Sequence, residues 1–333
     1  MTVADNGAGA LTLPADDYVL PFQIETAGAR GRLIRADKTI EAILEQHNYP
    51  EPVSALLGEA LTLAALLGTA LKIEDGGMIL QTSSDGPVST LVAQYKSSGD
   101  MRGYASFDQE AIDALQNGAA RDSAGLLGDG HLAMTIDPGA GLERYQGVVA
   151  LEGETLAEAA DLYFRQSEQI PTFLRVAVAR AYTAGENGNA PVWGWRAGGL
   201  LVQKLTGEGG VSDRADSEQL DWSAPDDGDE DWVRARTLAS TVEDHELLDP
   251  DLPPERLLYR LFHEEQVRAF PPSQVQAVCS CSRARIEDIL NSFEKTELDG
   301  MVEQGRILVK CEFCNRHYDF DPAEVGGEKP TEL

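Results

Sequence analysis

The sequence predicts an α+β protein with a large N-terminal domain of mixed sheet and helix, a helical linker and a small C-terminal module. Three observations carry that prediction. Strand-like runs joined by Gly- and Pro-bearing turns are interleaved with helical periods from residue 18 to residue 206. A Gly- and Asp-rich stretch, 207–232, then breaks the apolar pattern with ten acids and one Arg. All four cysteines follow it, in two tight pairs within the last 55 residues.

Taken in order, "YVLPFQIETAGARGRLIRAD", beginning at Tyr18, alternates as strands do. "KTIEAILEQHNY" and the Pro50-initiated "PEPVSALLGEALTLAALLGTALK" read as helices. In the second, Val53, Leu56, Leu57, Ala60, Leu61, Ala64 and Leu67 recur at three and four, one wide apolar face for a core. Strand-like runs fill "GMILQTSSDGPVSTLVAQYKSSGDMRGYASF", with "SSDGP" and "KSSGD" as hairpin turns, and then "HLAMTIDPGAGLERYQGVVALEG". "TLAEAADLYFRQSEQI" is a helix stopped by Pro171. "TFLRVAVARAYT" and "PVWGWRAGGLLVQKL" are strands, Leu174, Val176 and Val178 alternating against Arg175, Ala177 and Ala179. The domain spans 1–206. Segment 207–232 reads as a solvated, mobile insertion. Residues 233–270 give two short amphipathic helices joined by the Pro-rich "DPDLPP", and 271–333 form the terminal module.

Acidic residues outnumber basic ones 56 to 27, a net charge of −29. Phosphates select for Lys and Arg, so broad contact with nucleic acid or an anionic membrane is not expected. The opening "MTVADNGAGALTLPADD" has neither the basic nor the apolar region of a secretory leader. The most apolar stretch is interrupted by Glu59 and too short beyond it to span a bilayer, so the expected location is cytoplasmic. No G-x-S-x-G, Walker loop or H-E-x-x-H occurs, and the pairs Gly76–Gly77, Gly198–Gly199 and Gly209–Gly210 read as turns. The chain does not read as an enzyme.

In a reducing compartment, paired cysteines bind metal or do redox chemistry more often than they form permanent disulfides. Here Cys279-x-Cys281 and Cys311-x-x-Cys314 are separated by the 29 residues 282–310. A C-x-x-C turn aims both sulfurs at one point, and in an extended C-x-C segment alternate side chains share a face. Together they offer four soft thiolates, the tetrahedral set that suits one Zn(II) per chain. A helix in "SRARIEDILNSFEKTEL" and strands in "GRILVK" and "RHYDF" complete a self-contained module. His317 lies beside the second pair, but four cysteines already fill the shell. Arg283, Arg285, Arg306, Lys310 and Arg316 either offset the thiolate charge or are ordinary solvated cations. Two readings of the module stand. Zinc braces the tail as a structural or binding ribbon, with a net −5 over 271–333 disfavouring nucleic acid. Alternatively each close dithiol oxidises, the ligands are lost and the module unfolds, which makes it a redox switch.

The cysteine set, together with "RGRLIRAD", "LLGEALTLAALL", "GPVSTLVAQY", "RGYA", "YFRQSEQIPT", "GGLLVQKL", "LYRLFHEE", "CSCSRAR" and "CEFCNRHYDFD", resembles the 33-kilodalton heat-shock protein family over residues 18–322. The resemblance implies a redox-regulated, ATP-independent holdase chaperone of stress. Its reduced form would hold zinc through Cys279, Cys281, Cys311 and Cys314 and be inactive. Its oxidised form would carry the disulfides Cys279–Cys281 and Cys311–Cys314, lose zinc, unfold tail and linker, dimerise and bind unfolding client proteins. The acidic stretch 207–232 is an addition to the family pattern. The candidate client-binding surfaces are the apolar faces of the linker helices around Leu257, Leu258, Leu261 and Phe262 and the strand faces of the main domain that they cover; alternatively those linker residues are plain packing residues.

Overall fold

The apolar period of residues 51–70 dictates the centre of the architecture, because a helix this rich in Leu and Ala has to be buried on every side. The computed structural model describes residues 16–71, 75–115, 123–139, 141–151, 155–183, 192–205 and 229–326. The chain divides into two units, Met1–Ala277 and Val278–Leu333. The first runs β1 (Tyr18–Ile24), β2 (Ala29–Ala36), α1 (Lys38–Leu44), α2 (Glu51–Ala70), β3 (Gly77–Ser84), β4 (Val88–Lys96), β5 (Asp100–Phe107), α3 (Gln109–Ala114), α4 (Ser123–Leu127), β6 (Gly130–Asp137), β7 (Tyr145–Ala150), α5 (Leu156–Tyr163), β8 (Thr172–Thr183), β9 (Val192–Lys204), α6 (Glu230–Ser240), α7 (Asp244–Leu248), α8 (Pro254–Phe262), β10 (Val267–Ala269), β11 (Ser273–Gln274) and β12 (Gln276–Ala277). The mixed sheet-and-helix class expected from the sequence is the class observed.

Two sheets result. One has the order β10-β1-β2-β9-β8, with β11 also on β1, and the other β12-β5-β4-β3-β6-β7. The expected hairpins form at residues 83–87 and 96–100, and only the short β12–β5 pairing is parallel among the described strands of these sheets. Helix α2 lies in a core shared by both sheets. Val19, Ile34 and Leu201 come from the first sheet, and Leu80, Leu91 and Leu132 from the second. Every position of the predicted apolar face of α2 is buried, and so are Leu63, Ala65 and Leu66 outside it. The apolar face therefore extends almost all the way round the helix, leaving Glu51 exposed and Pro52, Ala55, Glu59, Thr69 and Ala70 half-buried. By length and composition alone α2 could cross a membrane, despite Glu59, so the length argument against a span fails; its burial in this core marks it as a core helix. Glu59 is accommodated because its carboxylate accepts hydrogen bonds from Ser123 Oγ (2.8 Å) and the Leu156 and Ala157 amides (2.8 and 3.3 Å).

The first sheet is buried on its other face too. Tyr18, Leu20, Phe22, Ile24, Leu33, Leu200 and Val202 point away from α2 and are covered by Trp232, Leu247, Leu257, Leu258, Leu261 and Phe262. Strands buried on both sides explain why β1 reads as a nearly continuous apolar run rather than a clean alternation. Two glycines make the close approach possible. A Cβ on Gly31 would fall 2.0 Å from the Phe22 ring, which lies across it and stacks on Phe262 at 5.8 Å between centroids. A Cβ on Gly198 would fall 2.3 Å from the Leu247 carbonyl oxygen. Gly198–Gly199 thus sits inside β9, not in a turn, because α7 packs directly on its backbone. Gly209–Gly210 lies outside the described residues.

Other expectations shift by a few residues, each for a local reason. Residues 207–228 lie outside the described residues, but Asp229 caps α6 and Trp232, placed in the insertion by composition, is 1% exposed in the core. The linker has three helices rather than two, since Glu243 opens α7 with its own capping box. Residues 273–277, assigned to the tail, pair with β1 and β5 in the first unit. The helix expected through Ile170 ends at Tyr163 and continues as a π-helical turn over Phe164–Glu168, closed by Gln169 at φ +54°. Helices α3 and α4 were not anticipated.

Candidate metal centre

The second unit is built around a hairpin and two short helices: α9 (Arg283–Leu290), α10 (Lys295–Gly300), β13 (Val302–Glu303), β14 (Arg306–Lys310) and β15 (His317–Phe320). The single helix expected over 282–298 is interrupted, because the Glu294 side chain caps a new start with Glu297. Ile286, Leu290, Leu298, Ile307, Phe320 and Val325 form its core. So small a core gives a unit of this size little margin of its own.

The cysteines come from two ends of this frame. Cys279 and Cys281 lie on the segment before α9, whose N-cap Ser282 accepts from the Arg285 amide at 3.2 Å. Cys311 and Cys314 lie in the turn between β14 and β15. That turn closes through Asn315 N–H donating to the Cys311 carbonyl (2.8 Å) and Cys311 N–H donating to the Arg316 carbonyl (2.9 Å), with Asn315 at φ +57°. All four Sγ atoms lie within 4.8 Å of one another. The Cys279–Cys311 and Cys281–Cys314 sulfurs are 3.8 and 3.3 Å apart. A tetrahedron of thiolates at a Zn–S distance of about 2.3 Å has an edge of about 3.8 Å, so the donor set fits a zinc ion in both chemistry and size. Cys279, Cys281, Cys311 and Cys314 would hold it. Among the described residues His317 does not join this cluster; it pairs with Lys310 in the β14–β15 ladder.

Crowding four sulfurs sets their proton affinities apart. Burial pushes Cys281 up, but the Tyr318 hydroxyl and the neighbouring sulfurs outweigh it and bring the thiol down to about 7. Burial, then the surrounding sulfurs, push Cys314 up to about 12, and burial raises Cys279 as well. A divalent cation among them would let all four ionise. Two members of the basic cluster read from the sequence are engaged elsewhere. Arg283 lies 4.4 Å over the Phe320 ring and donates to the Asp319 carbonyl (2.8 Å), and Arg306 pairs with Asp319 at 2.6 Å. Arg316 acts at the sulfurs, since its guanidinium hydrogen-bonds Tyr318, whose hydroxyl donates to Cys281 Sγ at 3.1 Å. Sequence spacing found the four cysteines; it did not find Tyr318.

The first unit holds the other candidate surface. Leu257, Leu258, Leu261 and Phe262 are at most 2% exposed, packed in the cover of the first sheet. Two buried charged groups fasten this cover. Arg35 of β2, 2% exposed, donates to the carbonyls of Asp249 and, at 3.0 Å, Glu246 at the end of α7. Glu265, 4% exposed, accepts from Arg234 Nε at 2.6 Å and from the Thr26 hydroxyl.

Comparison with known proteins gives one consistent result. The profile of the Hsp33 protein family matches residues 17–321. A 33 kDa chaperonin of Caulobacter vibrioides is 44% identical over 309 residues, covering 92% of this chain and 95% of that protein. One of Escherichia coli is 34% identical over 314 residues, covering 94% and 95%. A solved structure of the 33 kDa chaperonin from Thermotoga maritima superposes with a TM-score of 0.67 at 23% identity, covering 92% of this chain and 96% of that one, a likeness of fold.

Proposed function

Because this chain belongs to the Hsp33 family, and is thus a chaperone for unfolded proteins, we propose that it is an ATP-independent holdase gated by the oxidation of its four cysteines. The observation that carries the reading is the gathering of four sulfurs at zinc-binding spacing in a unit with a six-residue buried core. Zinc, when bound, supplies a cross-link that makes the fold of this unit depend on four thiolates. Peroxide removes that dependence in a balanced step. One thiolate sulfur attacks the O–O bond, forming S–O and releasing hydroxide; a second thiolate displaces the oxygen as another hydroxide, leaving one S–S bond. Two sulfurs lose two electrons and the peroxide gains them. By the family resemblance the pairs are Cys279–Cys281 and Cys311–Cys314, which peptide mapping of the oxidised chain distinguishes from cross-pairing.

The first unit ends at Ala277, two residues before Cys279 in the chain, so unfolding of the tail would leave β11, β12 and the cover before them as a free-ended segment that opens more readily. Release of that cover would expose Leu20, Phe22, Ile24, Leu33, Leu200 and Val202, an apolar surface for clients. A cytoplasmic, non-enzymatic chaperone, dimeric when oxidised and without affinity for nucleic acid or membrane, is the consistent whole. Light scattering of a thermally unfolding client tests it, with the chain added reduced and zinc-loaded or pre-oxidised with warm peroxide. Suppression by the oxidised form alone supports the gate. Equal suppression by both forms leaves the zinc purely structural, and suppression by neither removes the holdase reading.

A further inference from the structure

The cysteine sulfurs receive hydrogen bonds of two kinds. Cys281 N–H donates to Cys279 Sγ, and Arg316 N–H donates to Cys314 Sγ. Such backbone donors come with the C-x-C segment and the C-x-x-C turn, and side-chain exchange short of proline leaves them in place. Cys281 Sγ instead receives the Tyr318 hydroxyl at 3.1 Å, a side-chain donor held from the partner strand of the hairpin by the Val309–Tyr318 pairing. The phenol oxygen is itself a hydrogen-bond acceptor for Arg316, so charge is relayed toward the sulfur through a polarised O–H. A metal-bound thiolate is already deprotonated, so a donor on it does not increase the reactive fraction. It withdraws electron density and lowers the nucleophilicity of the sulfur.

We propose that Tyr318 is a positioning residue that sets the oxidation threshold of the cysteine cluster, shielding the Cys281 thiolate from electrophilic oxidants through its hydroxyl. The inference rests on the redox-gated reading above and adds which side chain adjusts the gate. In the reduced protein the O–H bond points at the lone pair that would otherwise attack the peroxide O–O bond. Attack at Cys281 first requires that hydrogen bond to stretch or break. The sensitivity of the switch is therefore adjustable by one residue that binds no metal and forms no disulfide.

The test compares the full-length, zinc-loaded protein with Tyr318→Phe, which keeps the ring and loses only the hydroxyl, and with Arg316→Gln, which keeps the phenol and loses its cationic partner. Zinc release is followed with a metallochromic dye under excess hydrogen peroxide, and separately under excess chelator without oxidant. Isotope-coded alkylation and mass spectrometry read Cys281 itself. With full zinc content at the start, Tyr318→Phe is expected to speed peroxide-driven release and Cys281 oxidation by about three- to tenfold, the scale of one hydrogen bond, and Arg316→Gln to do so by less. Chelator-driven release should change little. Equal or slower oxidation in Tyr318→Phe overturns the inference, as does a parallel rise under chelator alone, which would mark a merely structural role. If the unsubstituted protein keeps its zinc under peroxide, the failure lies in the redox-gated reading instead.

Discussion

The two faces of the first sheet are equally dry, yet they are covered by different kinds of structure. The inner face meets α2, one 20-residue helix of almost unbroken apolar sequence that the second sheet closes from behind. The outer face meets three helices of 11, 5 and 9 residues, the last two joined by the Pro-rich segment 249–254. The inner cover can leave only if the unit unfolds. The outer cover is made of pieces, each with a modest apolar contribution, and is fastened by Arg35 and Glu265, whose charges water could satisfy as well. Equal burial therefore does not mean equal permanence: continuity of chain and the chemistry of the contacts decide which face can open.

The largest test sets Leu61→Ala against Phe262→Ala. Each removes a fully or nearly fully buried side chain and should cost about 3–5 kcal/mol. For Leu61 the cost should appear as a lower global unfolding midpoint. For Phe262, which stacks on Phe22, hydrogen exchange of residues 229–277 should rise toward that of an unfolded segment while β3 to β6 stay protected. A single cooperative transition lowered equally by both would break the comparison.

Arg35→Met should act next, at about 1–3 kcal/mol, because it leaves the Glu246 and Asp249 carbonyls without their buried donor. Limited proteolysis in the α6–α8 region of the reduced, zinc-loaded protein should accelerate, with zinc content unchanged. Unaltered cleavage would show that apolar contact alone retains the outer cover.

Acid should separate the faces by sign. Burial raises the Glu59 carboxyl on α2 above its ordinary range, so the folded state binds that proton more tightly than the unfolded chain does. Its contribution is full below the ordinary glutamate value of about 4.3 and is lost as pH rises through the folded value. Glu265 is the reverse: the Arg234 hydrogen bond, against burial, holds it below the ordinary range. Its contribution is full above the ordinary value and is lost as pH falls through the folded one. Acidification should thus loosen 229–277 before it weakens α2, measured by hydrogen exchange corrected for intrinsic rates. The smallest effect should come from Tyr259→Ser, on the exposed side of α8 at 53% exposure, within about 0.5 kcal/mol by thermal melting.

Much of this was legible in residue order. The four cysteines announce their centre because C-x-C and C-x-x-C are short-range geometries, and the hairpins at 83–87 and 96–100 announce themselves because turn residues act on their own backbone. The apolar period of α2 declared a core helix but not that its burial would extend well beyond that face, since a second sheet is needed for that. Gly198–Gly199 was misread as a turn, because nothing adjacent in sequence shows that α7 rests on it. Trp232 looked like part of the acidic stretch because composition averages over neighbours, while burial is decided residue by residue.

The sequence by itself determined the α+β class, the core helix, the strand runs and the four-cysteine cluster, all of which depend on periods and spacings within a few residues. Tertiary structure alone decided which sheet face the linker helices cover, that Arg35 fastens a helix end 214 residues away and that Tyr318 reaches Cys281 across 37 residues. The reason is physical. Local pattern sets which backbone conformation a segment prefers, whereas a contact between distant segments exists only once both are folded and their surfaces exclude the same water.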